Sequence, residues 1–321
     1  MEPTYVRLTI PDSCDPTLVM GPQDSLLRLI EQSSDAVITV RGNVVNLEGT
    51  PEEVDRLTAI FTHLIELVEA GQLPDEADVN YAMSGDHATT TLPKVNASPL
   101  LVTATGKTIR PKTKGQQAYC AIAENHPIIF ALGPAGTGKT YLAMAMAVAA
   151  LRHHEIERLV LTRPVVEAGE SLGYLPGTLE EKIDPYVRPL YDALFEMVGH
   201  ETALRLIEEG VVEVSPLAFM RGRTFNDSFV ILDEAQNTTP GQMKMFLTRL
   251  GFNSRLIITG DLSQRDVPGF GGIESAEHIL KGIPEIAFVH LKTEDVVRHS
   301  FVAKIVAAYD RAEAKERVRE A

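Results

Sequence analysis

Lys139 and Thr140 end the stretch Gly133-Pro-Ala-Gly-Thr-Gly138-Lys139-Thr140, and Asp233 and Glu234 end the apolar run Phe229-Val-Ile-Leu232. An ammonium and a hydroxyl at the close of a glycine-rich turn, with two carboxylates at a strand end, are the groups that phosphate chemistry needs. Gly133, Pro134, Ala135, Gly136, Thr137 and Gly138 would supply a backbone that curls until its N–H groups point inward. The helix that follows adds its orphan N–H donors and the positive end of its dipole. In that socket Lys139 reaches the β and γ phosphates, and Thr140 is left for a magnesium ion. Asp233 would hold the same metal, while Glu234 is placed to take a proton from an attacking water. Gln264, in Gly260-Asp261-Leu-Ser-Gln264, could sense the γ-phosphate or orient that water, or be a polar loop residue. Transfer of the phosphoryl group to a metabolite needs no water activator, so the Asp-Glu pair favours hydrolysis.

These residues need elements to hold them. Ile128-Ile-Phe-Ala-Leu132 reads as a buried strand running into the loop, and Tyr141 to Leu151 as the helix leaving it. Beyond them, short apolar segments at Arg158 to Thr162, Val211 to Ser215, Phe229 to Leu232, Arg255 to Thr259 and Ile286 to Leu291 bring the strand count to six. Helical segments or loops separate most of these strands, which is the signature of a mainly parallel α/β sheet covered on both faces. Ligands of such sheets lie at the carboxyl ends of the strands, where the motifs fall.

The 321 residues suit two domains, and the net charge of −14 is unevenly spread. Residues 1–86 hold only Arg7, Arg28, Arg41 and Arg56 against sixteen acids, so twelve of the fourteen net negative charges lie there. Such a surface repels phosphate backbones. The front also carries strand, helix, strand, strand and helix signals. Tyr5 to Ile10 alternate, Ser25 to Glu31 have helical spacing, and Ala36 to Arg41 and Val44 to Leu47 flank a Gly42-Asn43 turn. Thr50-Pro51-Glu52-Glu53 is a capping box opening a helix to about Gly71, with Val54, Leu57, Ile60, Phe61, Leu64, Ile65 and Val68 on one face. This order resembles a KH-like α+β module, although its backbone-clamping turn is present only as Gly21-Pro-Gln-Asp24. RNA binding and partner or self association are both open for it. The expected limits are 1–75 for this domain, 76–104 for a polar linker and 105–321 for the P-loop domain. Cys14 and Cys120 lie far apart without metal-ligand spacing, as in a reduced cytoplasmic protein. The N-terminus lacks a signal-peptide pattern, and no apolar run is long enough to cross a bilayer.

With Asp233-Glu-Ala-Gln236 and Gly260-Asp-Leu-Ser-Gln264 added to the loop, the chain resembles the nucleotide-binding half of a superfamily 1 helicase. Further motifs narrow the likeness: Arg163-Pro-Val-Val-Glu-Ala-Gly-Glu170, Leu172-Gly-Tyr-Leu-Pro-Gly177, Asp184-Pro-Tyr-Val-Arg-Pro189, Arg221-Gly-Arg-Thr224 and Asp295-Val-Val-Arg298-His. From about Thr105 to Tyr309 the sequence is similar to the PhoH-like ATPase family, and the KH-like front suits its longer members. One departure is Pro268-Gly-Phe-Gly-Gly272, where the family tends to have a basic loop leading to Ser-Gly-Leu.

The resemblance implies a cytoplasmic, RecA-like ATPase linked to RNA metabolism, using ATP and Mg²⁺ and assembled as a homo-oligomer, with a hexameric ring expected. Single-stranded RNA and an endoribonuclease are the implied partners. Gln116 (or Gln117) looks like the adenine-reading glutamine, and no Asn-Lys-x-Asp guanine reader is present, which favours ATP over GTP. Arg298 looks like an arginine finger supplied by a neighbouring subunit, or else is a helix-surface residue. Arg163, Arg188, Arg221 and Arg223 could line an RNA path or form ion pairs with Glu167, Glu170, Asp184 or Asp192. A second reading is a nucleotide-switched scaffold that turns over slowly and recruits a partner through its acidic front.

Overall fold

The computed structural model describes residues 3–83, 99–164, 179–264, 270–297 and 302; for 179–185 it describes only that they are helical. The described residues fall into two compact units, one holding those within 3–83, the other those within 99–293.

In the front unit, β1 (Thr4–Thr9) is followed by α1 (Pro16–Met20) and α2 (Ser25–Gln32), then β2 (Val37–Arg41), β3 (Val44–Gly49), α3 (Pro51–Glu69) and α4 (Glu76–Met83). The strands form an antiparallel sheet in the order β1-β3-β2. Alternation sends Val45 and Leu47 inward, where they meet Leu57, Phe61 and Leu64 of α3. The α3 start is as the sequence predicts: Thr50 accepts from the Glu53 amide, and Pro51 occupies the first turn. Along α3 the expected face is buried except at Val68, which is partly covered, and Leu67 joins it. Two expectations change. The polar segment predicted from residue 76 begins with a helix, α4, whose Val79 and Ala82 belong to the front core. Near the other end of that segment, β4 (Leu101–Val102) pairs with β5 (Thr108–Ile109) in the second unit.

The second unit continues with α5 (Lys114–Asn125), β6 (Ile128–Leu132), α6 (Lys139–Arg152), β7 (Arg158–Arg163), α7 (Leu179–Val198), α8 (His200–Glu208), β8 (Val212–Pro216), β9 (Ser228–Leu232), α9 (Pro240–Leu247), β10 (Arg255–Gly260), α10 (Gly272–Leu280) and β11 (Ile286–His290). All six predicted strands are present, within a residue or so of the expected ends. They form one sheet, β11-β6-β10-β9-β7-β8, in which every neighbouring pair is parallel. Every residue of β6 and β9 is buried, as central strands covered on both faces must be. Their alternate side chains feed two cores. Ile129, Ala131, Phe229 and Ile231 pack with α5, α6 and α7; Phe130, Leu132, Val230 and Leu232 pack with α9 and α10. Each fully buried Phe, Leu or Ile adds about 1.5–3 kcal/mol of transfer free energy. That makes a rigid floor for the loops above it. Helix α6, rich in Ala and Met and apolar nearly all round, is sunk in the first of these cores.

Candidate active site

The strand order brings the carboxyl ends of β6, β10, β9 and β7 side by side, and each delivers one part of the site. After β6 the loop turns through Gly133 (φ 147°), Gly136 (φ 86°) and Gly138 (φ 78°) before α6 begins. A side chain at Gly133 would also collide with the Leu291 carbonyl, so only glycine fits. The loop is tied down from β10. The Gly133 amide donates to the Gly260 carbonyl at 3.1 Å, and the Ala135 amide donates to Asp261 Oδ2 at 2.9 Å. Asp261, buried, also accepts from the Ser263 amide and hydroxyl at 3.0 and 2.6 Å. Lys139 lies at the loop mouth with its ammonium donating to the Gly133 and Pro134 carbonyls at 2.6 and 2.8 Å.

Beside it, the Thr140 hydroxyl donates to Asp233 Oδ1 at 2.6 Å, and the Thr259 hydroxyl donates to the same oxygen at 2.7 Å. Thr140 and Asp233 thus form a small set of hard oxygen donors next to the phosphate socket. This fits magnesium, which takes one or two protein oxygens and completes its shell with phosphate and water. Among the described residues no group of three or more His, Cys, Asp or Glu side chains makes an all-protein metal cage.

Glu234 adopts a left-handed backbone conformation, φ 52°. One carboxylate oxygen accepts from Arg163 Nη2 at 2.6 Å, and the other accepts from Gln236 Nε2. Ala135, Gly136, Gly138, Lys139, Thr140, Asp233, Glu234 and Gln264 all line one cleft of about 250 Å³. The sequence-predicted loop, metal, base and sensor positions therefore converge.

Gln116 sits behind the loop rather than in that cleft. It is buried on α5, its Oε1 accepting from the Lys112 amide at 2.7 Å and its Nε2 donating to the Thr137 carbonyl at 3.1 Å. Arg298 lies outside the described residues, as do Glu167, Glu170 and the first two residues, 268 and 269, of the divergent Pro268 to Gly272 stretch. Arg163 meets Asp233 and Glu234, and Arg223 forms a bidentate pair with Glu213, acidic partners other than those expected. Arg188 and Arg221 are exposed. Asp261, Thr259 and Gln236 were not expected as parts of the site, although Asp261 and Gln236 stand within motifs that the sequence displays. A larger cleft of about 500 Å³ opens at the amino ends of β6, β9 and β10, lined by Phe252 and Arg255 among others and by none of the expected site residues.

The sequence matches the family described as PhoH-like protein over residues 108–310. The chain belongs to that family. A PhoH-like protein of Bacillus subtilis (strain 168) is 48% identical over 297 residues, covering 91% of this chain and 93% of the relative. One from Mycobacterium tuberculosis (strain ATCC 25618 / H37Rv) is 50% identical over 299 residues, covering 92% and 85%. Protein PhoH of Escherichia coli (strain K12) is 42% identical over 205 residues, covering 63% of this chain and 58% of that protein. Among solved structures, Pif1 helicase from Candida albicans aligns with a TM-score of 0.29 at 16% identity, over 56% of this chain and 38% of that one.

Proposed function

We propose that this PhoH-like protein hydrolyses ATP with Mg²⁺. The observation that carries the reading is the convergence of Lys139, Thr140, Asp233 and Glu234 on one cleft above the parallel sheet. Magnesium, when bound, neutralises phosphate charge and polarises the transferred group. The loop amides and Lys139 bind and orient the phosphates, Thr140 and Asp233 fix the metal, and Gln264 at the cleft edge orients the water or registers the γ-phosphate. Glu234 takes the proton of the attacking water at a carboxylate oxygen. Arg298, supplied by a neighbouring subunit of a ring, completes the charge stabilisation. Lys139→Ala and Glu234→Gln should each abolish steady-state turnover in a phosphate-release assay, and Glu234→Gln should still bind ATP. Turnover near that of the wild type in Glu234→Gln would remove the assigned base.

The finer reading couples hydrolysis in the cytoplasm to RNA remodelling or processing, beside an endoribonuclease. Family membership and the helicase-like motifs support it. The second reading, a slow nucleotide-switched scaffold, draws on the separate acidic front unit. Single-stranded RNA that raises the ATPase rate favours remodelling; an indifferent rate with ATP-dependent capture of a partner by the front unit favours the scaffold.

A further inference from the structure

Resting on the proposed role of Glu234 as base, the geometry points to Arg163 as the positioning residue that sets where the Glu234 carboxylate sits. Arg163 is the last residue of β7, next to β9 in the sheet, and the ladder continues one step beyond the strands with the Asp233 amide donating to the Thr162 carbonyl at 2.9 Å. That register places the guanidinium directly against the Asp233-Glu234 pair. Its three nitrogens face three acceptors: Nη2 donates to Glu234 Oε1 at 2.6 Å, Nε lies 3.5 Å from Asp233 Oδ2, and Nη1 donates to the Tyr186 carbonyl of α7 at 2.8 Å. Only 17% of the Arg163 side chain is exposed, so the fork is fixed from both ends.

A carboxylate on a flexible stem beside a second carboxylate tends to swing away into water, because like charges repel. Arg163 opposes that swing by placing one positive charge between two negative ones. The second oxygen of Glu234 is held by Gln236, whose own Oε1 accepts from the Asp261 amide at 3.1 Å and whose Nε2 also donates to the Gln264 carbonyl at 3.2 Å. Glu234 is thus gripped from the β7 side by Arg163 and from the β10 side by Gln236. Both grips are part-buried, and together they leave the carboxylate facing the cleft at a defined height. A lysine could supply the charge but not the planar fork that spans the carboxylates and the helix carbonyl. The same contacts turn Arg163 inward, away from the RNA path considered from sequence.

The test uses the full chain. ATP turnover is measured for kcat and KM in Arg163→Gln, Arg163→Lys, Glu234→Gln and the Arg163→Gln/Glu234→Gln double variant, with affinity read from a fluorescent ATP analogue. Misplacing the base should lower kcat roughly tenfold to a hundredfold in Arg163→Gln. KM and analogue affinity should stay within about threefold, since the lost interaction acts on the chemical step. Arg163→Lys should fall between Arg163→Gln and the wild type. Because Arg163 acts through Glu234, the double variant should bind the ATP analogue as Glu234→Gln does and keep whatever residual turnover Glu234→Gln keeps. A kcat for Arg163→Gln within twofold of the wild type, or a parallel loss of affinity and kcat, would overturn the proposal. If Arg163→Gln does not fold, Arg163→Lys decides: a reduced kcat at unchanged KM supports positioning, and a wild-type kcat ends it. Wild-type turnover in Glu234→Gln would end both this proposal and the assignment of the base, whereas a dead Glu234→Gln with an unaffected Arg163→Gln would end this proposal alone.

Discussion

Asp261 ties the phosphate loop to β10 by accepting the Ala135 amide, and in the same grip it fixes Ser263. Changing it to asparagine replaces a charged acceptor with a weaker neutral one that also presents an NH₂ group. A hydrogen bond to a charged group contributes about 1.5–3 kcal/mol, so Asp261→Asn should raise KM for ATP on the order of tenfold or more. The loss should appear mainly in KM, because in the proposed reaction the loop holds the phosphates before and during the chemical step alike; a kcat loss with KM unchanged would contradict it. The difference between Asp261 and Asp233 also shows what the sequence could reveal. The placement of Asp233 beside the loop was legible because strand, acid and loop form a recurrent local pattern. Asp261 stands in an equally local pattern, but its partner is the loop of another strand. Only the adjacency of β6 and β10, separated in the chain by three other strands, brings the two together. Arg163 was legible as a residue with a purpose and illegible as to which, for the same reason: its acids come from β9, its lateral neighbour.

Among the elements, α3 was the most readable, since its cap, first-turn proline and apolar face all agree. Glu53 does more there than meet the Thr50 cap. Besides Thr50, it accepts from the Asp35 amide at 3.1 Å and the Ser34 hydroxyl at 3.4 Å, pinning the entry to β2 against the helix start. The Asp35 amide first, then Thr50 and Ser34, hold its carboxyl below the ordinary value of 4.5 against a smaller opposing effect of burial. A depressed carboxyl stabilises the fold above its unfolded value, and this contribution disappears as pH falls through the folded one. Glu53→Gln should therefore lower the melting temperature of the front unit at pH 7, at a cost below about 1 kcal/mol for a part-exposed group. The gap between variant and parent should narrow below about pH 4.5, near the ordinary value. A gap that widens on acidification would reverse the sign. Helix α4 was harder to read. Its buried face rests on only a few apolar residues, among them Val79 and Ala82, amid acids and polar groups, too few to show a period.

At the scale of the whole molecule, two compact units mean two sets of buried contacts that need not melt together. Each unit carries one buried cysteine, Cys14 in the front core and Cys120 on α5. Burial, aided by Glu124, pushes the Cys120 thiol up to about 12; burial likewise raises Cys14, with Glu69 adding to it. Neither should react with a disulfide reagent at pH 8 in the native protein. In rising urea the two thiols should become reactive at different concentrations, with Cys14→Ala and Cys120→Ala assigning each step. A single shared transition would show that the units unfold as one. Within the P-loop unit, edge strand β11 runs parallel to β6 through five residue pairs, and just beyond it the Leu291 amide donates to the Leu132 carbonyl at 2.7 Å while its carbonyl abuts Gly133. A pull on the chain beyond Leu291 is therefore borne in shear, by many parallel bonds at once rather than by one at a time. It is delivered to the residue where the loop begins, making the last strand of the sheet a mechanical handle on the first residue of the phosphate socket.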